Sequence, residues 1–243
     1  MTRALPILGL TLRGLLDRRR TWLMILLAAV PVLVAVLFVA TATGGQRLTV
    51  NVLDNLVVRT VLPLIALVFG TGAVGPELED GTIVYLVAKP LRRIWIVLAK
   101  TIVAAALTAA LIVPAVLATG VVASLADDRV LPLAMAYAVA AAAGGAAYAA
   151  AFLAASTVSS RALAMGLGYV LIWEGILSGL LEGTRTFSIR QATLGLATGL
   201  SGVPPGRGAM DAGPAVAVLG LVIVGGILVA TWRLRRFELR GGD

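Results

Sequence analysis

The sequence predicts an all-α membrane protein with six transmembrane helices, and three observations carry that prediction. Hydrophobic residues make up 60% of the 243-residue chain and charged residues only 13%, with a mean hydropathy of +1.01. A soluble domain carries about 25% charge, so this chain has too few polar residues to cover a water-facing surface. Six apolar stretches are long enough to cross about 30 Å of hydrocarbon. The lysines and arginines cluster on alternate connections between those stretches, the pattern that orients a chain in a bilayer.

The six stretches run over 22–42, 56–74, 94–123, 131–155, 162–181 and 214–232, in a single domain covering 1–243. The first follows Arg18, Arg19 and Arg20 and is longer than a signal-peptide core, so it reads as a retained span. The second carries Arg59 about one turn from its outer end. The third is long enough to tilt, with Pro114 as an expected kink. The fourth consists almost entirely of small residues, AAAAGGAAYAAA over 140–151. Such a helix lets neighbouring backbones approach closely, which makes it a packing element buried in the bundle. The fifth carries Glu174, roughly 18 Å from its cytoplasmic end at about 1.5 Å per residue. The last is followed by Arg233, Arg235 and Arg236. Placing both termini in the cytoplasm puts 14 of the 20 basic residues inside and 6 outside, which fixes the orientation.

Residues 4–19 are too short and too charged to span. Leu8, Leu12, Leu15 and Leu16 share one helical face, and Arg13, Asp17 and Arg20 another, the pattern of an amphipathic helix on the cytoplasmic surface. Two polar segments interrupt the apolar pattern. The external one, 183–213, contains TFSIRQATLGLATGL, expected to form a short helix lying at the outer surface. The cytoplasmic one, 75–93, opens with Glu77, Glu79 and Asp80, continues through Gly81 and Thr82, and closes on Lys89, Pro90, Arg92 and Arg93. An acidic start and a basic finish complement a helix dipole, so a short helix bounded by Gly81 and Pro90 is expected there.

The missing residue types exclude whole classes of chemistry. The chain has neither cysteine nor histidine, which rules out disulfides, thiolate metal sites, histidine bases and HExxH metalloprotease chemistry. The net charge of +8 comes from short basic clusters beside apolar runs, a membrane-orienting pattern and not a nucleic-acid surface.

The cytoplasmic segment resembles that of a known family. Glu77, Glu79, Gly81, Thr82, Tyr85, Leu86, Pro90, Arg93 and Lys100 fit ExExGTxxYLxxxPxxR…K, which is similar to the permease subunits of ABC-2 type exporters. Ala99 stands where the family usually has glycine before the lysine. The start TLRGLLDRRRTW, with Arg13, Arg18, Arg19 and Arg20, resembles the family's interfacial elbow helix, and YVLIWEGILSGLLEGTRTFSIRQ resembles a bacterial subgroup's fifth span and outer loop. The resemblance implies a multi-pass protein of the bacterial cytoplasmic membrane. It implies a non-catalytic export subunit, assembled as two permeases with two cytoplasmic ATPase subunits. Glu77, Glu79, Asp80, Gly81, Thr82, Tyr85, Arg93 and Lys100 would then couple to the ATPase through a helix between spans two and three. The chain has no GxxxxGK[ST], so ATP and Mg would be bound by the partner and this chain would hold no cofactor or metal.

Glu174 invites a separate reading. An acid within a span costs on the order of 2.5–3.5 kcal/mol on insertion scales and should face protein or water. It is expected either to line the translocation path or to pair with a buried group, Arg59 being the candidate. The apolar walls suit a lipid, drug or hydrophobic peptide as substrate. Two other readings stay open: a membrane subunit that transmits ATPase motion without moving a solute, and an ion-coupled transporter, against which the scarcity of intramembrane charge argues.

Overall fold

In a computed structural model the described residues are 15, 18–41, 45–75, 77, 93–159, 161–177, 188–202 and 210–236. They form helices and no strand. We number the helices in chain order: α1 Arg18–Ala40, α2 Gln46–Gly72, α3 Arg93–Ser124, α4 Val130–Val158, α5 over 162–177, α6 Ile189–Ser201 and α7 Ala212–Arg236. Five of them, all but α5 and α6, are long and apolar enough to cross a membrane. The fifth expected span is described as far as residue 177, as an α-helical Ala162–Gly168 continued by a π-helical Tyr169–Leu177. The amphipathic segment 4–19 and most of the cytoplasmic segment, including Glu79, Asp80, Gly81, Thr82 and Tyr85, lie outside the described residues. Leu15, one of the four leucines of the amphipathic face, is buried at the C-terminal end of α2 against Gly72.

The second span departs most from expectation. The helix begins at Gln46, not near residue 56, so Arg59 lies thirteen residues into it. Asn51, Asp54 and Asn55 look like loop residues by composition, yet they belong to a helix whose other side buries Leu53, Val57 and Val58 completely. Apolar packing on that side repays the helical conformation, and the polar groups are satisfied locally: Asn55 donates to the carbonyl of Asn51, and Thr60 to that of Asn55. The Thr60 bond reaches back five residues, the register of a π-helix, and Val52–Val61 is indeed π-helical.

As its composition requires, α4 lies at the centre, packed by α2, α3, α6 and α7. Glycines set the close approaches. A Cβ at Gly70 would stand 2.9 Å from that of Phe152, and one at Gly226 would stand 2.7 Å from the carbonyl oxygen of Ala150. Buried threonines return their hydroxyls to carbonyls of their own helices, as Thr108 does to Ala104 and Thr119 to Ala115, so they bring no unpaired polar group into the membrane.

The external helix forms where expected but does not lie on the surface. Ile189, Gln191, Ala192, Thr193, Leu194 and Ala197 of α6 are buried between α4 and α7. Gly144, at the midpoint of α4, leaves room for Thr193, while Gly199 near the other end of α6 meets Ala212 at the start of α7. Thus α6 is a half-length helix, about 20 Å for its 13 residues, running outward from the middle of the bundle. Small residues at its contacts, more than its amphipathic pattern, decide where it packs.

Adjacent glycines test this packing. Gly226→Ala should destabilise the protein by about 1–3 kcal/mol, because a backbone carbonyl blocks the new methyl group. Gly225 has nothing within 4 Å of an added Cβ, so Gly225→Ala should leave the thermal unfolding midpoint in lipid nanodiscs unchanged or raise it.

Candidate functional site

Two polar constellations stand out, one at the end of the bundle where α2, α4 and α7 finish and one at its middle. Three helices, α2, α4 and α7, end at the face assigned to the cytoplasm. A helix end leaves its last carbonyls without intrahelical partners and carries partial negative charge. Each of these three ends receives a cation from a neighbouring helix. Lys100 of α3 donates to the carbonyl of Ala73, just past the end of α2, at 2.5 Å. Arg93 of α3 donates to Leu234 in the last turn of α7 at 2.7 Å. Arg233 of α7 donates to Val158, the last residue of α4, at 3.4 Å.

Lys100 also pairs with Glu77 at 2.6 Å, and its side chain is only 3% exposed. A lysine this deeply buried needs both a counter-ion and hydrogen bonds, and the two partners supply them. The structure therefore brings together two members of the sequence-derived coupling set and places a third, Arg93, against α7. Glu77 and Lys100 meet at the entry of the cytoplasmic segment, and Arg93 stands at its exit. Arg20 of the elbow set is exposed at the start of α1.

The second constellation surrounds Glu174, which is 1% exposed. Its carboxylate receives the hydroxyl of Ser188 at 2.5 Å, the hydroxyl of Tyr169 at 3.0 Å, and the backbone amides of Ile189 and Arg190 at 3.1 and 3.4 Å. Ser188 is the N-cap of α6 and accepts from the amide of Gln191 at 3.1 Å. Glu174 is thus the anion at the N-terminus of a helix that starts inside the bundle, where partial positive charge and unpaired amides need an acceptor. The Arg190 guanidinium donates to the backbone carbonyl of Glu174 at 3.4 Å. It also lies within electrostatic reach of Arg59, Asp54 and Tyr148. Arg59 stands on an exposed side of α2.

Aromatic residues enclose this centre. Tyr148 stacks on Phe152 at 5.8 Å, and Phe152 meets the edge of Tyr169 at 6.4 Å. Tyr137 donates to Asp54 at 2.5 Å. Both acids, Asp54 and Glu174, sit on the two π-helical segments. Reading the sequence missed Ser188, Arg190, Tyr137 and Asp54 as members. One signal was present: SIRQ over 188–191 has the S-x-x-Q spacing of a capping box, which marks the start of α6. The contact between Tyr137 and Asp54 spans 83 residues and leaves no local signature.

The geometry separates two substitutions. Glu174→Gln keeps an acceptor for the α6 amides and loses only the charge, an expected cost of about 1–2 kcal/mol. Glu174→Leu leaves Ser188 and the amides unpaired, an expected cost of about 3–5 kcal/mol. Thermal unfolding in nanodiscs should rank them in that order, and equal midpoints would contradict the capping role.

These helices and the cytoplasmic segment agree with a comparison against known families. A model described as ABC-2 family transporter protein matches residues 12–217. A search of curated proteins finds no match. The family match takes in α1 through α6 and the start of α7, with the Glu174 constellation and the Lys100–Glu77 pair, and so the chain belongs to the ABC-2 transporter family as an ABC-2 type permease.

Proposed function

We propose that the chain is the transmembrane subunit of an ATP-driven exporter, moving a hydrophobic or amphiphilic compound such as a lipid, drug or peptide out of the cytoplasm. Family membership supports partnership with an ABC ATPase. The observation that carries the coupling role is the buried bridge from Lys100 to Glu77 and Ala73. It fastens the first turn of the cytoplasmic segment to both α2 and α3, so a push on that segment is delivered to two membrane helices at once. A loosely attached loop would absorb the same push.

In this reading two permease copies work with two ATPase subunits, which hold ATP and Mg. The segment at 77–93 docks on the ATPase, and the basic amphipathic start lies against the membrane surface. The segment 162–181 is the fifth of six spans, and both termini are cytoplasmic in a bacterial inner membrane. Glu174 and Arg59, both within reach of Arg190, serve as polar elements of the path or as a bridge between the second and fifth spans.

Because the natural chain has no cysteine, single introduced cysteines report topology cleanly. Gly45→Cys and Ser201→Cys should label from outside intact cells, whereas Gly81→Cys should not. Reversed labelling would invert the orientation. Glu79→Lys combined with Gly81→Pro should leave the protein inserted while reducing ATPase co-purification and transport by about tenfold or more, the loss expected when charge and helix are both disrupted at a docking element. Substrate-stimulated ATP hydrolysis by the reconstituted complex tests export directly. ATP hydrolysis coupled to an external partner, with no solute moved, would favour motion transmission.

A further inference from the structure

We infer that Arg93 is the positioning residue through which the cytoplasmic segment moves the last helix, α7, so that one displacement at 77–93 drives α2 at the segment's entry and α7 at its exit. The inference rests on the coupling role proposed above. It extends that role to a helix 141 residues away in the chain.

The segment is fastened at both ends. Its entry is held by Lys100, which binds Glu77 and the end of α2. Its exit is Arg93, whose guanidinium donates to Leu234 at 2.7 Å. A charge-assisted bond from an arginine to a terminal helix carbonyl is strong, directional and complementary to the negative end of the dipole.

The rest of α7 explains why this bond matters. Its outward face is apolar and exposed: Leu221 is 71% exposed, Leu228 58% and Val224 56%. On its other side Ala230, Thr231 and Leu234, in its last two turns, are buried, as are Ala215 and Leu219 near its start. The cytoplasmic end of α7 is therefore gripped on both chemical counts, by apolar burial and by the Arg93 bond. From there Arg233 continues the linkage to the end of α4. Packed on α4 and α6 along one side and exposed along the other, α7 shifts as one body, so a displacement of its end is carried along its length. Arg93 sits where that displacement enters.

The test uses the full-length chain co-purified with its ATPase in lipid nanodiscs, with hydrogen exchange read at residues 70–77 and 228–236, with and without a non-hydrolysable ATP analogue. In the natural protein both regions should respond to nucleotide, by about tenfold in exchange rate, the scale on which loss of a charged hydrogen bond opens a helix end. In Arg93→Gln the response at 228–236 should fall below about twofold while that at 70–77 persists, and Arg93→Lys should restore part of it. A merely structural role would raise exchange at 228–236 equally with and without nucleotide. That result would overturn the inference, as would an unaltered response in Arg93→Gln. If Arg93→Gln does not fold, the natural protein decides alone: a response at 70–77 with none at 228–236 rejects the role of Arg93. If neither region of the natural protein responds, the coupling reading itself falls, and the inference with it.

Discussion

The bundle depends on how helix ends are neutralised where water cannot do it. A membrane helix satisfies its backbone internally except at its two ends. Here the ends that matter are closed by side chains from other helices. Lys100, Arg93 and Arg233 close the carbonyl ends of α2, α7 and α4, and Glu174 closes the amide end of α6. Each closure is also a tertiary contact, so the same bonds that satisfy the backbone hold the helices in register. Cations serve the carboxyl ends and an anion serves the amino end, as the dipole requires.

This arrangement gives the charge distribution a second meaning. Basic residues flanking membrane spans bias the orientation of a chain during insertion. In the folded protein three of them also terminate helices. Burial of Lys100 is tolerable because Glu77 and the Ala73 carbonyl replace its water. Burial of Glu174 is tolerable because Ser188, Tyr169 and two amides do the same. The small residues of α4 let α2, α3, α6 and α7 pack closely around it.

Much of the fold was legible from hydropathy. The limits of α3 and α4 lie within a few residues of the apolar stretches, because each is bounded by abrupt changes in polarity. The start of α2 was hidden because Asp54, Asn51 and Asn55 are polar for local reasons while Leu53, Val57 and Val58 face the core. The position of α6 was hidden because hydropathy does not distinguish a surface helix from a short one drawn inward by glycines. In the candidate site, Glu174 was conspicuous as an acid in an apolar run. Its place at the start of α6 depends on a contact fourteen residues away, and the SIRQ spacing carried only half of that information. The Lys100–Glu77 contact belonged to a motif, but the bond from Arg93 to Leu234 is made to a backbone carbonyl, to which any residue type contributes equally.

The two π-helical stretches, Val52–Val61 and Tyr169–Leu177, add a further property. In such a stretch each amide reaches back five residues, which makes the helix wider and shorter for the same number of residues than its α-helical form. Converting one to the tighter register preserves the hydrogen-bond ladder, lengthens the span and rotates everything beyond it about the helix axis. Helices α2 and α5 thus each contain a stretch that gains length if it tightens to the α-helical register, and the acids Asp54 and Glu174 sit on those stretches.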